Sequence, residues 1–192
     1  MTDTLIKLFG SAARVKLLRL FLFNPQHLIS IEEAAIRAQV KPRDARQEIS
    51  LFLRLGLLER HPRRGMMRYG LAATSPYIEA LQNLMINAPA RGAEMPARLR
   101  SVGALKLIVV AGVFVGEWNG SLDLLVVGDR IKEKTLIKKI KMLEAEIGKE
   151  VRYAWMSTPD FFYRLNMSDR LLRDMFDYPH IIVFDRLDIG LK

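Results

Sequence analysis

Between Pro42 and Leu55 the chain sets Arg43, Arg46, Gln47, Ser50 and Arg54 along one side of a helical wheel and Ala45, Ile49, Phe52 and Leu53 along the other. An arginine guanidinium can hold guanine by two parallel hydrogen bonds, and a glutamine amide can do the same with adenine. A B-DNA major groove admits one helix, so such a helix must be packed from behind and clear in front. Lys41 and the start of the same helix suit a phosphate. A second basic group follows in His61-Pro62-Arg63-Arg64-Gly65-Met66, where Arg63 and Arg64, with Arg68 beyond them, are placed to reach the flanking backbone or the minor groove. Other chemistries find less support. The chain has no cysteine, which excludes disulfides, thiolate zinc sites and thiol catalysis. His27, His61 and His180 are scattered without metal-ligand spacing.

These residues need a scaffold, and the first third of the chain reads as one. Leu5 to Phe23 carries apolar residues at the helical period and ends at Asn24-Pro25. Ser30-Ile31-Glu32-Glu33 has the pattern of a capping box and opens a short helix to Ala38. Gln39-Val40-Lys41 makes a tight turn, and Pro42 suits the first turn of the next helix because its missing N–H has no helical partner there. Leu57 to Arg60 and Met67 to Leu71 read as two short strands, and Tyr77 to Ile86 as a trailing helix. The spacing predicts a winged helix-turn-helix over residues 1–86, then a linker over 87–100 that is rich in Ala, Pro and Gly.

Charge supports this division. The formal net charge is +9, and residues 1–71 hold 13 Lys and Arg against 6 Asp and Glu, whereas residues 101–192 hold 14 against 13. A positive field concentrated in the first third favours a polyanionic partner. The first residues, Met1-Thr2-Asp3-Thr4, carry an acid and show no leader pattern, and the longest apolar run, Leu107 to Val115, is far short of the roughly 20 residues that span a bilayer. The expectation is a soluble, cytoplasmic protein without membrane association.

Residues 101–192 read as a second domain of mixed β-sheet with helices, in the order β-β-α-β-α-α-β, so the fold class expected for the whole chain is α+β. Strands are expected at Leu105–Phe114, Ser121–Val127, Val151–Met156 and Ile181–Phe184. Helices are expected at Ile131–Ile147, from Thr158-Pro159 and from Ser168-Asp169. Trp118, in the turn after Gly112, is expected to pack on its neighbours.

Two resemblances sharpen the picture. Leu8-Phe9-Gly10-Ser11-Ala12-Ala13-Arg14-Val15-Lys16-Leu17-Leu18 and Leu55-Gly56-Leu57-Leu58 resemble the opening helix and pre-wing segment of ArsR-like winged-helix regulators, over about the first 72 residues. That resemblance implies a homodimer on a two-fold site in double-stranded DNA. Ala111-Gly112-Val113-Phe114 and Gly120-Ser121-Leu122-Asp123-Leu124-Leu125-Val126-Val127-Gly128 resemble the small nucleotidyltransferases. Members of that family carry a hydrophobic-Gly-Ser motif, two aspartates at i and i+2 on a strand, and a third carboxylate from a later strand, which together hold divalent metal against nucleotide phosphates.

Here Gly112 and Asp123 fit, but Val113 stands for the small residue, Ser121 for the first aspartate, and the later strand carries Arg152 in place of an acid. The expectation is a regulator of transcription whose second domain lacks catalysis, metal and cofactor and serves dimerisation or the sensing of a nucleotide-like effector. An active nucleotidyltransferase and an antitoxin-like interaction protein are the alternatives.

Overall fold

A computed structural model describes residues 4–63, 65–86, 91–117 and 120–189 of the chain. The fold is mixed α+β, with a two-stranded and a four-stranded sheet among the described residues. It divides into two compact units: Met1–Ala88 with Lys141–Glu150, and Pro89–Ile140 with Val151–Lys192.

The first unit opens with two helices, α1 (Thr4–Phe9) and α2 (Ala12–Leu22), where one continuous helix was expected. Gly10 takes a left-handed φ of 70°, and Ser11 caps α2 by accepting a hydrogen bond from Arg14 N. A helix cannot run through a left-handed residue followed by an N-cap. Helix α3 (Ile31–Ala38) begins as expected, with Ser30 Oγ accepting from Glu33 N, and ends at Gln39, which is itself left-handed. Helix α4 (Pro42–Arg54) follows after this tight turn. Strands β1 (Leu58–Arg63) and β2 (Met66–Leu71) pair antiparallel, so the hairpin extends further toward its tip than its apolar residues suggested. Tyr69 exchanges two backbone hydrogen bonds with Ile29, which ties β2 to the segment before α3. Helix α5 (Ile78–Ile86) completes the run.

The core of this unit is built from Leu17, Leu18, Phe21 and Leu22 of α2, Ala34, Ala35 and Ala38 of α3, and Ala45, Ile49 and Phe52 of α4. The alanines let three helices approach closely where larger side chains would hold them apart. One polar group joins this packed stripe. Glu48 is buried, and its carboxylate accepts from Arg14 Nε at 2.8 Å and Nη2 at 3.4 Å, while Arg14 Nη1 donates to the Phe9 carbonyl at 2.9 Å. Asn24 is a second buried polar anchor: its amide donates to the Leu20 and Gly148 carbonyls and accepts from Arg37.

In the second unit, part of the expected linker is ordered structure. Residues 87–90 lie outside the described residues, but Arg91–Glu94 form a 3₁₀ turn and Met95–Leu99 form α6, with Met95 and Leu99 fully buried. Pro96 marks no break because it sits in the first turn of α6, where no N–H is required. Strands β3 (Ala104–Ala111), β4 (Leu124–Asp129), β5 (Tyr153–Met156) and β6 (His180–Asp185) form a sheet of order β5-β4-β3-β6, antiparallel except for the parallel β4–β5 pair. The parallel pair is reached through α7 (Glu133–Ile147), and α8 (Thr158–Asn166) and α9 (Arg170–Asp177) lead to β6. Leu107, Val109, Leu125 and Val127 pack on one face with Phe161, Leu172 and Met175 of α8 and α9. The alternating Ile108, Val110, Leu124 and Val126 are equally buried. Burial on both faces accounts for the unbroken apolar run in β3.

Replacing Glu48 by alanine should lower stability by about 1–3 kcal/mol, because Arg14 loses its acceptor and α4 its anchor. Urea unfolding is the measurement, and a double-mutant cycle with Arg14→Ala should show the two losses to be non-additive.

Candidate nucleic-acid interface and the Asp123–Arg152 pair

Helix α4 is gripped along one side. Ala45, Glu48, Ile49 and Phe52 are buried at the i, i+3, i+4, i+7 spacing, and Leu53 is half-buried. On the other side Arg43, Arg46, Gln47, Ser50 and Arg54 are all exposed, as is Lys41 at the N-cap, whose side chain makes no capping bond. Among the described residues, none of these cations makes an ion pair or side-chain hydrogen bond to the protein. Unpaired arginines on a helix backed along one side are free to meet an external acceptor. Five donors in a planar fork make each arginine suited to a phosphate or to the O6/N7 edge of guanine.

The hairpin contributes less than its sequence suggested. Arg63 is exposed at the last pair of the ladder, opposite Met66. Arg68 is turned inward: its Nη1 donates to the Leu28 carbonyl at 2.8 Å and to Glu33 Oε2 at 3.2 Å. It sits back from the tip, opposite His61, where the α3 terminus offers acceptors. Arg64 lies outside the described residues. Arg60, a further cation that no local pattern singles out, is exposed on β1. Glu48 lies between Ala45 and Phe52 on the buried stripe, a place in the sequence that requires it to find a partner.

The second constellation is arranged differently from the expected strand pair. Strand β4 begins at Leu124, so Ser121 and Asp123 do not share one strand face: Ser121 is exposed and Asp123 is fully buried. Asp123 Oδ1 accepts from Val113 N at 3.0 Å and Arg152 Nη2 at 2.8 Å, and its Oδ2 accepts from Arg152 N at 2.8 Å and Arg152 Nε at 2.9 Å. A carboxylate has about four lone-pair directions, and all are taken. The third nitrogen of the guanidinium, Nη1, donates to the Gly120 carbonyl. The Asp123 hydrogen bond, reinforced by its charge, raises the pKa of Arg152 against the opposing effect of burial, so the guanidinium stays charged wherever the protein is folded.

Gly112 and Val113 belong to the same arrangement. Gly112 has a left-handed φ of 51°, and a Cβ there would collide with the Asp123 carboxylate. This glycine turns the chain so that Val113 N–H meets Asp123. A divalent ion would need at least two more oxygens and a free lone pair on Asp123, and among the described residues no three of His, Asp and Glu converge. The residues present do not fit a metal. Beside the turn lies a cavity of about 430 Å³, lined by Gly112, Glu117, Ser121, Arg170, Asp174 and Tyr178 among others, with the acid and base of Asp174 and Arg170 paired at 3.7 Å. Trp118 lies outside the described residues.

Comparison of the chain with models of protein families, with curated proteins and with solved structures finds no match in any of the three. No described helix is long and apolar enough to cross a membrane.

Asp123→Ala should cost about 3–5 kcal/mol of stability, since it strands a charged guanidinium and two backbone donors. Arg152→Met combined with Asp123→Asn should recover part of that loss, because neither partner is then left charged and alone. Gly112→Ala should unfold the protein at lower urea, because alanine resists the left-handed conformation and its Cβ would meet the Asp123 carboxylate. Chemical denaturation of the four proteins tests the set, and an Asp123→Ala variant as stable as the parent would contradict the assignment.

Proposed function

We propose that the chain is a sequence-specific, double-stranded-DNA-binding regulator of transcription, in which residues 1–86 act as a winged helix-turn-helix and α4 enters the major groove. The observation that carries this reading is the outer face of α4: five exposed polar residues, three of them arginines, on a helix whose opposite stripe is buried. The order α3, tight turn, α4, hairpin supports it, as does the basic excess of the first third of the chain.

The second unit, on this reading, is a nucleotidyltransferase-like domain whose carboxylate chemistry has been replaced by an internal ion pair. The occupied lone pairs of Asp123 support the view that it performs no metal-dependent transfer. Its role is then dimerisation or effector response, and the cavity beside Gly112 is the place for a nucleotide-like effector. The chain works in the cytoplasm as a homodimer that sets two copies of α4 about one DNA turn apart, ~34 Å.

The test begins with duplexes selected from a random-sequence pool by the full chain, followed by fluorescence anisotropy across a salt series. Arg43→Ala or Gln47→Ala should weaken the selected site by about 1–3 kcal/mol and relax the preference at one position. Arg63→Ala should weaken all sequences alike and reduce the salt slope by about one. Unchanged affinity in all three variants, or no duplex retained from the pool, would remove the DNA-binding reading.

A further inference from the structure

We propose that the tip of the β1–β2 hairpin is an apolar wedge that enters the minor groove of duplex DNA and unstacks a base step, so that this chain bends the DNA it binds. The inference rests on the DNA-binding reading above and adds to it a second mode of contact.

Beside the turn Arg63-Arg64-Gly65 the hairpin carries two large apolar side chains in the open. Met66 is 58% exposed and Met67 43% exposed, side by side at the start of β2. The ladder pairs Pro62 with Met67 and Arg63 with Met66. Pairs in register share a face, so one face of the tip carries Pro62 and Met67 and the other carries Met66 beside Arg63. Neither methionine belongs to the core of the unit, which on this hairpin takes Leu58 and Tyr69. Gly65, at a left-handed φ of 76°, turns the chain between the two strands.

The base of the hairpin is held firmly. Tyr69 is buried and bonded in both directions to Ile29, and Arg68 is tied to the Leu28 carbonyl and to Glu33. A wedge must be backed by a rigid support if inserting it is to distort the partner and not itself.

Charge complementarity names the occupant. Arg60 and Arg63 are exposed on the strand that leads to the tip, and neither has an acidic partner among the described residues. Apolar side chains flanked by arginines suit a groove whose walls are phosphates and whose floor is stacked bases. Methionine is unbranched and polarisable, and it is among the apolar side chains that wedge between base steps. Pyrimidine–purine steps, which unstack most readily, are the expected point of entry.

The experiment uses the full chain and a selected duplex of about 30 base pairs, labelled at both ends with a dye pair and carrying 2-aminopurine at its TA or CA/TG steps. Binding of the parent protein should raise the 2-aminopurine fluorescence at one step and raise energy transfer between the ends. Met66→Ala with Met67→Ala should abolish both changes while leaving the salt slope of binding as it was. Met66→Lys with Met67→Lys should bind at least as tightly at low salt and still fail to bend the duplex, which separates wedging from affinity. Parent protein that binds without either signal, or a double-alanine variant that bends the duplex like the parent, would overturn the wedge and leave DNA binding in place. Failure to retain any duplex would instead overturn the DNA-binding reading and the wedge with it.

Discussion

Everything proposed for this chain depends on α4 being held from one side only. The small residues of α3 and α4 bring those helices against α2, and the Arg14–Glu48 pair locks the stripe laterally. Because the grip is confined to Ala45, Glu48, Ile49 and Phe52, the opposite face has no structural duty. Its arginines cost nothing to the fold where they stand in water, and they keep their hydrogen-bonding capacity for a partner. A helix packed on two sides would have spent that capacity internally.

The second unit is organised by a different constraint. A fully buried carboxylate must be satisfied, and Asp123 is satisfied by one arginine and two backbone amides. The pair connects the turn at Gly112, the segment before β4 and the start of β5. In a metal site the corresponding negative charge would be held open for a cation from solution. Here the cation is part of the chain. Arg152 supplies the positive charge that makes a buried Asp123 tolerable.

Much of the scaffold was legible because local signals carried it. The capping pattern at Ser30, the proline at the start of α4 and the apolar runs of β3 and β4 are short-range features; α3 and α4 stand where they were expected, while β4 begins later, at Leu124. The misreadings fall where a local signal was ambiguous. Gly10 inside an apolar period splits one helix into two, and a stretch rich in Ala, Pro and Gly turns out to include a 3₁₀ turn and α6, with Met95 and Leu99 in the interior.

By itself, the order of residues determined the periodicities, the caps, the place of the basic excess and the identity of the residues on the two sides of α4, because these depend on neighbours within a few positions. Only the tertiary structure decided which polar groups were already committed. Arg68 and Arg63 are alike in sequence, yet one is bound to Leu28 and Glu33 and the other is free for a ligand. Asp123 and Arg152 are distant along the chain and meet only once β5 lies parallel to β4. Hydrogen-bond capacity is finite and is spent on whatever the fold brings within 3 Å, and that proximity is a property of packing between distant segments which no local pattern encodes.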